Sequence, residues 1–301
     1  MRSDEFSIKN LMRKKRLKDL SVRIQAWFAF LKSRRSELYR FTREDLRLYL
    51  CERQWHLMDF RLLREEEAFL LLQIEGREFY WPSDLGSADL PWLFAEVFYP
   101  PYINPSSYEH PVIHLGETEW VIDAGALEGF FSIYAFEKGA NRVIALDPVP
   151  SARGALEMTF RKEAAQNRFL MVPEAMGSRV GKGSMHYDPE QTAMARLAES
   201  DNDSSIEVDV TTLDHLVEGL GLGAGGFVKM DIEGGEVRAL KGGRNTLAEF
   251  KPGLAVAVYH EHDNAIRCRD IILDANPDYT VQFRGMYGWY NPPRPHMLFA
   301  W

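Results

Sequence analysis

The chain has 301 residues, 46% of them hydrophobic and 27% charged, with a net charge of −8. That profile fits a globular protein of one large domain, or of one domain plus an appendage, and excludes disordered and collagen-like classes. No apolar run reaches the ~18 residues of a membrane span, and the charged N-terminus lacks an apolar signal core. Two cysteines, Cys51 and Cys268, both fall in helix-like segments; they make no disulfide framework and predict a reduced, cytoplasmic protein.

Residues 1–65 are expected to form an N-terminal helical extension. Over 6–36, Leu11, Leu17, Leu20, Ile24, Trp27, Phe28 and Leu31 recur at helical spacing among Lys and Arg. A second helix is expected over 42–60, opened by Thr42 with Glu44 and Asp45 in its first turn. Residues 1–40 carry 12 Lys or Arg against 4 Asp or Glu, a balance of +8 that leaves −16 for the remainder. Such an arm could meet anionic lipid or nucleic acid, or lie on the acidic body of its own chain or of a homodimer partner. The last two are preferred over lipid and nucleic acid alike, because a charge run is usually a solvated face.

Residues 66–118 are expected to hold a β-hairpin and an irregular lead-in. The run Phe69–Trp81 reads as two strands about a Glu75-Gly76 turn. The segment 83–118 is rich in Pro, aromatics and Ser.

From residue 119 to 301 strand and helix alternate. Strands are expected at 119–123, 142–147, 168–174, 227–231, 254–260, 279–285 and 296–301, and helices at 129–138, 151–166, 234–249 and 263–275. The fold class is therefore α/β, with a parallel sheet and right-handed crossovers. The last two strands have no helix between them, so that pair should be antiparallel. The polar stretch 177–205 is expected to form a hairpin-like insertion or a flap.

The most informative stretch is Val121-Ile-Asp-Ala-Gly-Ala-Leu-Glu-Gly-Phe-Phe-Ser132. A strand ends on Asp123, a glycine loop follows with Gly125 and Gly129, and an apolar helix begins. This geometry lets backbone approach a nucleotide-like ligand. Eighteen residues after Gly129 the next strand ends on Asp147, where a carboxylate can accept hydrogen bonds from ribose hydroxyls. A dinucleotide site needs Gly-x-Gly-x-x-Gly for the pyrophosphate. Here the spacing is Gly-x-x-x-Gly behind an acid, which would repel a diphosphate but suits the cationic amino-acid end of S-adenosylmethionine.

Three further strand ends carry suitable chemistry on the side where ligands sit in open parallel sheets. Glu174 and Ala175 stand within reach of an adenine ring. Lys229-Met-Asp231-Ile-Glu233-Gly-Gly-Glu236 places three acids at a strand-to-helix junction, although Glu233 and Glu236 also suit a helix N-terminus on dipole grounds alone. Tyr259-His260-Glu261-His262-Asp263 offers metal-ligand residue types, but without a zinc-type spacing no metal is expected.

Asp123-Ala-Gly-Ala, Val210-Thr-Thr-Leu-Asp214, Lys229-Met-Asp-Ile-Glu-Gly-Gly-Glu-Val-Arg-Ala-Leu-Lys-Gly-Gly, Lys251-Pro and Tyr259-His260 together resemble the FkbM-type S-adenosylmethionine-dependent methyltransferases, in the family's order, over roughly residues 115–301. The resemblance implies a class I methyltransferase (Rossmann-like) fold, a seven-stranded sheet whose last strand is antiparallel. It also implies methyl transfer to a hydroxyl of a sugar, glycan or secondary metabolite. Asp147 stands where the family mostly has Glu, and Gly235 where Ala is common.

Transfer from a sulfonium requires the acceptor held in line, water excluded and the hydroxyl proton removed. His260 is the expected general base, because histidine titrates near neutrality. Asp231 and Glu233 are expected to position the acceptor, with Asp231 able to take the proton itself. The expected cofactor residues are Asp123, Gly125, Gly129, Asp147, Glu174 and Ala175. Two other classes stay open: a methyltransferase acting on a macromolecule (RNA or a lipid-linked glycan) gripped by the basic arm, and a non-catalytic cofactor-binding module.

Overall fold

The computed structural model describes residues 21, 23–33, 39–186, 196–197, 205–288, 290 and 293–301. Helix α1 (residues 23–33) is followed by α2 (Arg43–Glu52), then strands β1 (Arg61–Glu66), β2 (Phe69–Ile74) and β3 (Arg77–Pro82) and helix α3 (Leu90–Phe98). The α/β region comprises β4 (Trp120–Ala124), α4 (Phe130–Glu137), β5 (Val143–Leu146), α5 (Pro150–Thr159), α6 (Arg161–Ala165) and β6 (Phe169–Val172). It continues through β7 (Ala175–Met176), β8 (Gly181–His186), β9 (Arg196–Leu197), β10 (Ser205–Thr211), α7 (Leu213–Gly219), β11 (Gly226–Met230), α8 (Glu236–Lys241) and α9 (Arg244–Glu249). It closes with β12 (Gly253–Ala257), α10 (Asn264–Ala275), β13 (Val281–Tyr287) and β14 (Arg294–Ala300).

The central sheet has seven strands in the order β13-β14-β12-β11-β4-β5-β6. The five from β12 to β6 are parallel neighbours, and β14 runs antiparallel between β12 and β13. The expected α/β class, the seven strands and the antiparallel last strand are all present. Successive residues of the central strands serve opposite faces. Val121, Val143 and Phe227 enter one buried cluster, whereas Ile122, Ile144 and Val228 enter the other. Continuous burial on both faces is why these strands read as unbroken apolar runs.

Several segments depart from expectation. Of the helix expected over 6–36, residues 21 and 23–33 are helical, and the rest lies outside the described residues. Helix α2 opens at Thr42 with a reciprocal cap to Asp45 but stops at Glu52. Arg61–Glu66 is instead an edge strand, so the expected hairpin is a three-stranded sheet. An edge strand with few inward side chains is held by its ladder to β2 and has little hydrophobic pattern to betray it. The Glu75-Gly76 turn is as expected, with both residues at positive φ.

Helix α3 lies inside the segment read as irregular. Pro91 falls in its first turn, where a missing N–H costs nothing. Phe94 packs edge-on against Phe130 at the start of α4. The helix expected over 234–249 is broken at Gly242-Gly243, where a Cβ on Gly242 would stand 2.3 Å from the Gly177 carbonyl oxygen. The helix expected over 151–166 is likewise divided, at Phe160. In the insertion, β8 and β10 pair antiparallel, and β7, β10, β8 and β9 form a second small sheet.

Candidate active site

The site grows from the two central strands. In the β4–β11 ladder Lys229 is the direct neighbour of Asp123. Both side chains are buried, and Lys229 Nζ stands 3.0 Å from Asp123 Oδ1. The same ammonium donates to the carbonyl oxygens of Gly125 at 2.7 Å and Ala124 at 3.3 Å. Ser132 Oγ donates to Asp123 Oδ2 at 2.8 Å. Burial pulls the Lys229 pKa down, but Asp123, Asp231 and Glu128 outweigh it and the net shift is upward. Asp123, expected to face a cationic ligand, is therefore engaged by Lys229 and lies behind the cavity wall. Lys229 itself lines the cavity. A lysine inside the otherwise apolar strand Gly-Phe-Val-Lys-Met was the available signal, since a buried cation requires a buried counter-charge.

The loop after β4 doubles back tightly. Gly125 has φ +80°, and a Cβ there would stand 1.9 Å from the Asp231 carbonyl oxygen. This glycine thus lets two strand-end loops touch, and it also lines the cavity. Gly129 has a different task. Its Cβ would meet Leu156 and Phe160, so it seats α4 against α5 rather than against a ligand. Leu127 N donates to Asp147 Oδ2 and Val149 N to Asp147 Oδ1, both at 2.9 Å. Burial raises the Asp147 carboxyl to about 6 despite these two donors.

A cleft opens over these strand ends. Asp147, Glu174 and Ala175 line it as expected residues, alongside Gly125, Asp231 and Glu233. Glu96, Tyr108 and Glu128 also line it and were not singled out in the sequence. Glu96 comes from α3, which closes the cleft from outside the central sheet. It accepts a hydrogen bond from Trp92 Nε1 at 2.9 Å, and burial together with nearby Asp231 pushes its pKa well up. Burial likewise pushes Glu128 up to about 8.

At the end of β11, Tyr108 Oη donates to Asp231 Oδ2 at 2.8 Å. Asp231 Oδ1 is buried without a hydrogen-bond partner. Glu233 adopts φ +53°, an uncommon conformation for a non-glycine residue, and its carboxyl is raised chiefly by burial. His260, just past β12, stands behind these two acids. Its Nε2 lies 3.6 Å from Asp231 Oδ1 and 3.4 Å from Glu233 Oε2, and its Nδ1 3.2 Å from Glu236 Oε1. Burial alone would lower the His260 pKa, but Glu236 and Glu233 hold it well above the usual histidine value. At neutral pH the ring therefore carries both protons and has no lone pair to take another. That environment does not suit the general-base role expected of His260.

Glu236 anchors the turn. Its Oε1 accepts from Ile232 N at 3.1 Å and Gly234 N at 3.3 Å, and its Oε2 from Asn264 Nδ2 at 2.8 Å. Asp231, Glu236 and His260 each offer a ligand atom within 4.8 Å of the others, a donor set of the type that metals use. However, Asp231 and Glu236 face different nitrogens of the one ring, so a cation on either nitrogen would leave one of these acids aside. The sequence joins the last two strands through a loop, 286–294, whose Tyr287, Trp289 and Tyr290 are aromatic; Tyr287 stacks on Tyr259 at 4.3 Å and Arg294 lies over the Tyr290 ring. Trp289 lies outside the described residues.

The sequence model of the FkbM methyltransferase domain matches residues 123–283, more than half of the chain. No curated protein matches the sequence significantly. Among solved structures, an FkbM methyltransferase from Methylobacillus flagellatus is 22% identical, with a TM-score of 0.48 over 69% of this chain and 47% of that one. The chain thus spans about half the length of that protein. A precorrin-6y C5,15-methyltransferase from Geobacter metallireducens is 16% identical, with a TM-score of 0.34 over 62% of this chain and 79% of that one. An O-methyltransferase from Bacillus cereus, in complex with SAH, is 11% identical, with a TM-score of 0.33 over 63% and 76%.

Proposed function

The chain belongs to the FkbM methyltransferase family, the S-adenosylmethionine-dependent methyltransferases, and from that premise we propose that its cleft holds S-adenosylmethionine beside a hydroxylated acceptor, a sugar, glycan or secondary metabolite, that it O-methylates. The observation that carries this reading is Asp231 Oδ1, a buried acceptor atom of a cleft-lining residue that has no hydrogen-bond partner and faces His260 Nε2 only at 3.6 Å. A buried carboxylate oxygen is costly to leave unpaired, and an incoming hydroxyl group satisfies it.

The residues present suit the cofactor. Asp147 takes the ribose hydroxyls with the lone pairs that Leu127 N and Val149 N leave free. Glu174 and Ala175 border the adenine. With Asp123 engaged by Lys229, Glu128 is the acid at the turn left to meet the cationic amino-acid end, whose charge would draw its carboxyl back down from the raised pKa that burial gives it. When bound, S-adenosylmethionine supplies an electrophilic sulfonium methyl group.

The chain's own residues then do the remaining work. Asp231 Oδ1 accepts the hydroxyl proton, while Tyr108 fixes the other oxygen of the same carboxylate. The His260 ring holds Asp231 and Glu233 in place from behind. Glu96, whose carboxyl burial and Asp231 bias toward the protonated form, stands on α3 to donate to a second acceptor oxygen.

The test is Asp231→Asn, assayed with a panel of sugars and hydroxylated metabolites. Loss of a positioned base typically costs about 10²–10⁴-fold, so kcat should fall by that order while S-adenosylhomocysteine affinity stays within about threefold. An Asp231→Asn enzyme retaining wild-type kcat on a confirmed acceptor removes Asp231 from proton transfer.

A further inference from the structure

Helix α1 carries two apolar faces, and only one of them is covered. Ala26, Phe30 and Ser33 are buried, the first two in a cluster with Tyr39, Phe41, Leu46, Tyr49 and Met286. On the other side Ile24, Trp27, Phe28 and Leu31 are 47%, 50%, 68% and 53% exposed. Their spacing of three, four and seven residues places all four on a single stripe. Lone exposed apolar side chains are ordinary; a contiguous stripe of four, two of them aromatic, marks an interaction surface.

The charge around the stripe selects its occupant. Arg23 and Lys32 are exposed on the same helix, and the first 40 residues hold a balance of +8 against −16 for the remainder. We propose that α1 is a membrane-docking helix, whose stripe enters the headgroup–acyl boundary of an anionic bilayer while the surrounding Lys and Arg meet the lipid phosphates. An apolar face with Trp, Phe and Leu flanked by Lys and Arg is the pattern of interfacial helices, and basic residues beside an anionic surface add to its attraction.

A second copy of the chain fits the stripe less well. Stacking stripe on stripe would bring the basic residues of α1, Arg23 and Lys32, of both copies to one interface. The four side chains also leave only on the order of 400 Å² per copy, short of the ~600 Å² per partner that a stable interface needs. Among the described residues no helix is long and apolar enough to cross a membrane, so α1 would lie along the surface. Docking by α1 would also bring β13 and β14 close to the bilayer, because Met286 packs in the same cluster and Tyr39 Oη donates to Pro293 O at 2.9 Å. The proposal is independent of methyl transfer.

The experiment is vesicle co-sedimentation of the full chain at low salt. The vesicles are phosphatidylcholine alone or phosphatidylcholine with about 30% phosphatidylglycerol. Binding is expected on the anionic vesicles only, reduced in about 0.5 M NaCl. A Trp27→Glu/Phe28→Glu variant with unchanged melting temperature should bind at least about tenfold less. The proposal is overturned if wild type stays in the supernatant with anionic vesicles or if neutral vesicles bind equally. It is likewise overturned if the variant binds as wild type, or if its only change is a lower mass by light scattering, which would assign the stripe to a dimer. A parallel S-adenosylhomocysteine titration separates this outcome from failure of the methyltransferase reading.

Discussion

Replacing Lys229 by Met would remove the cation that joins the two central strands at the site. Asp123 would keep one hydrogen bond, from Ser132, and its Oδ1, which has no hydrogen-bond partner and is neutralised by the ammonium 3.0 Å away, would be left buried and uncompensated. The carbonyl oxygens of Gly125 and Ala124 would lose the same donor. Breaking one side of a buried pair costs about 3–5 kcal/mol, and the apolar stem of Met retains most of the packing. At roughly 2–4 °C per kcal/mol for a domain of this size, the melting temperature should fall by about 6–20 °C. Adding Asp123→Asn should restore much of that loss, because the uncompensated charge is then gone. The assay is urea unfolding of wild type, both single variants and the double variant, read as a double-mutant cycle. A cost below about 1 kcal/mol for Lys229→Met, or a double variant no more stable than the single, would refute the view that Lys229 neutralises Asp123.

Gly125→Ala should destabilise the chain by more than about 2 kcal/mol and weaken S-adenosylhomocysteine binding, since its Cβ collides with the Asp231 carbonyl; Gly219→Ala, where a Cβ meets nothing within 4 Å, should be nearly neutral in both chemical unfolding and calorimetry. Glu52, buried beside His296, is pushed up to about 7 by burial. It therefore remains neutral in the folded chain at pH values where the unfolded chain has ionised it. Its full penalty, on the order of 3 kcal/mol, applies above pH 7 and is relieved as pH falls toward the ordinary glutamate value. Glu52→Gln should thus stabilise the protein at pH 8.5 and lose that advantage by pH 5. His296, held down to about 3 by burial, acts in the opposite sense below its ordinary value in both proteins, so the difference between their unfolding curves isolates Glu52.

The α/β alternation, the strand ends and the antiparallel last pair were legible because central strands buried on both faces are continuous apolar runs, and because glycines and acids mark where they stop. Asp147, Glu174, Asp231 and Glu233 could be placed in the cleft from strand position alone. The fate of Asp123 could not, because it depends on strand order: β11 is adjacent to β4 only after the chain crosses over, and only then does Lys229 meet Asp123. Glu96 and Tyr108 were hidden for a related reason. They reach the cleft from segments preceding the sheet, where no strand-end rule applies. The surroundings of His260 could not be read from its strand end, since Glu233 and Glu236, which raise its pKa, converge on it only in the folded chain. The edge strand β1 was lost to its lack of an inward face.

The central claim is that the cleft is an S-adenosylmethionine site built around Gly125 and Asp147. Calorimetric titration of the purified chain with S-adenosylhomocysteine, with NADH as the comparison ligand, tests it most directly. The account predicts one site per chain at micromolar affinity, about −8 kcal/mol, at least about tenfold weaker in Asp147→Ala, and no heat from NADH. Tight NADH binding with none for S-adenosylhomocysteine, or S-adenosylhomocysteine binding indifferent to Asp147, would contradict it.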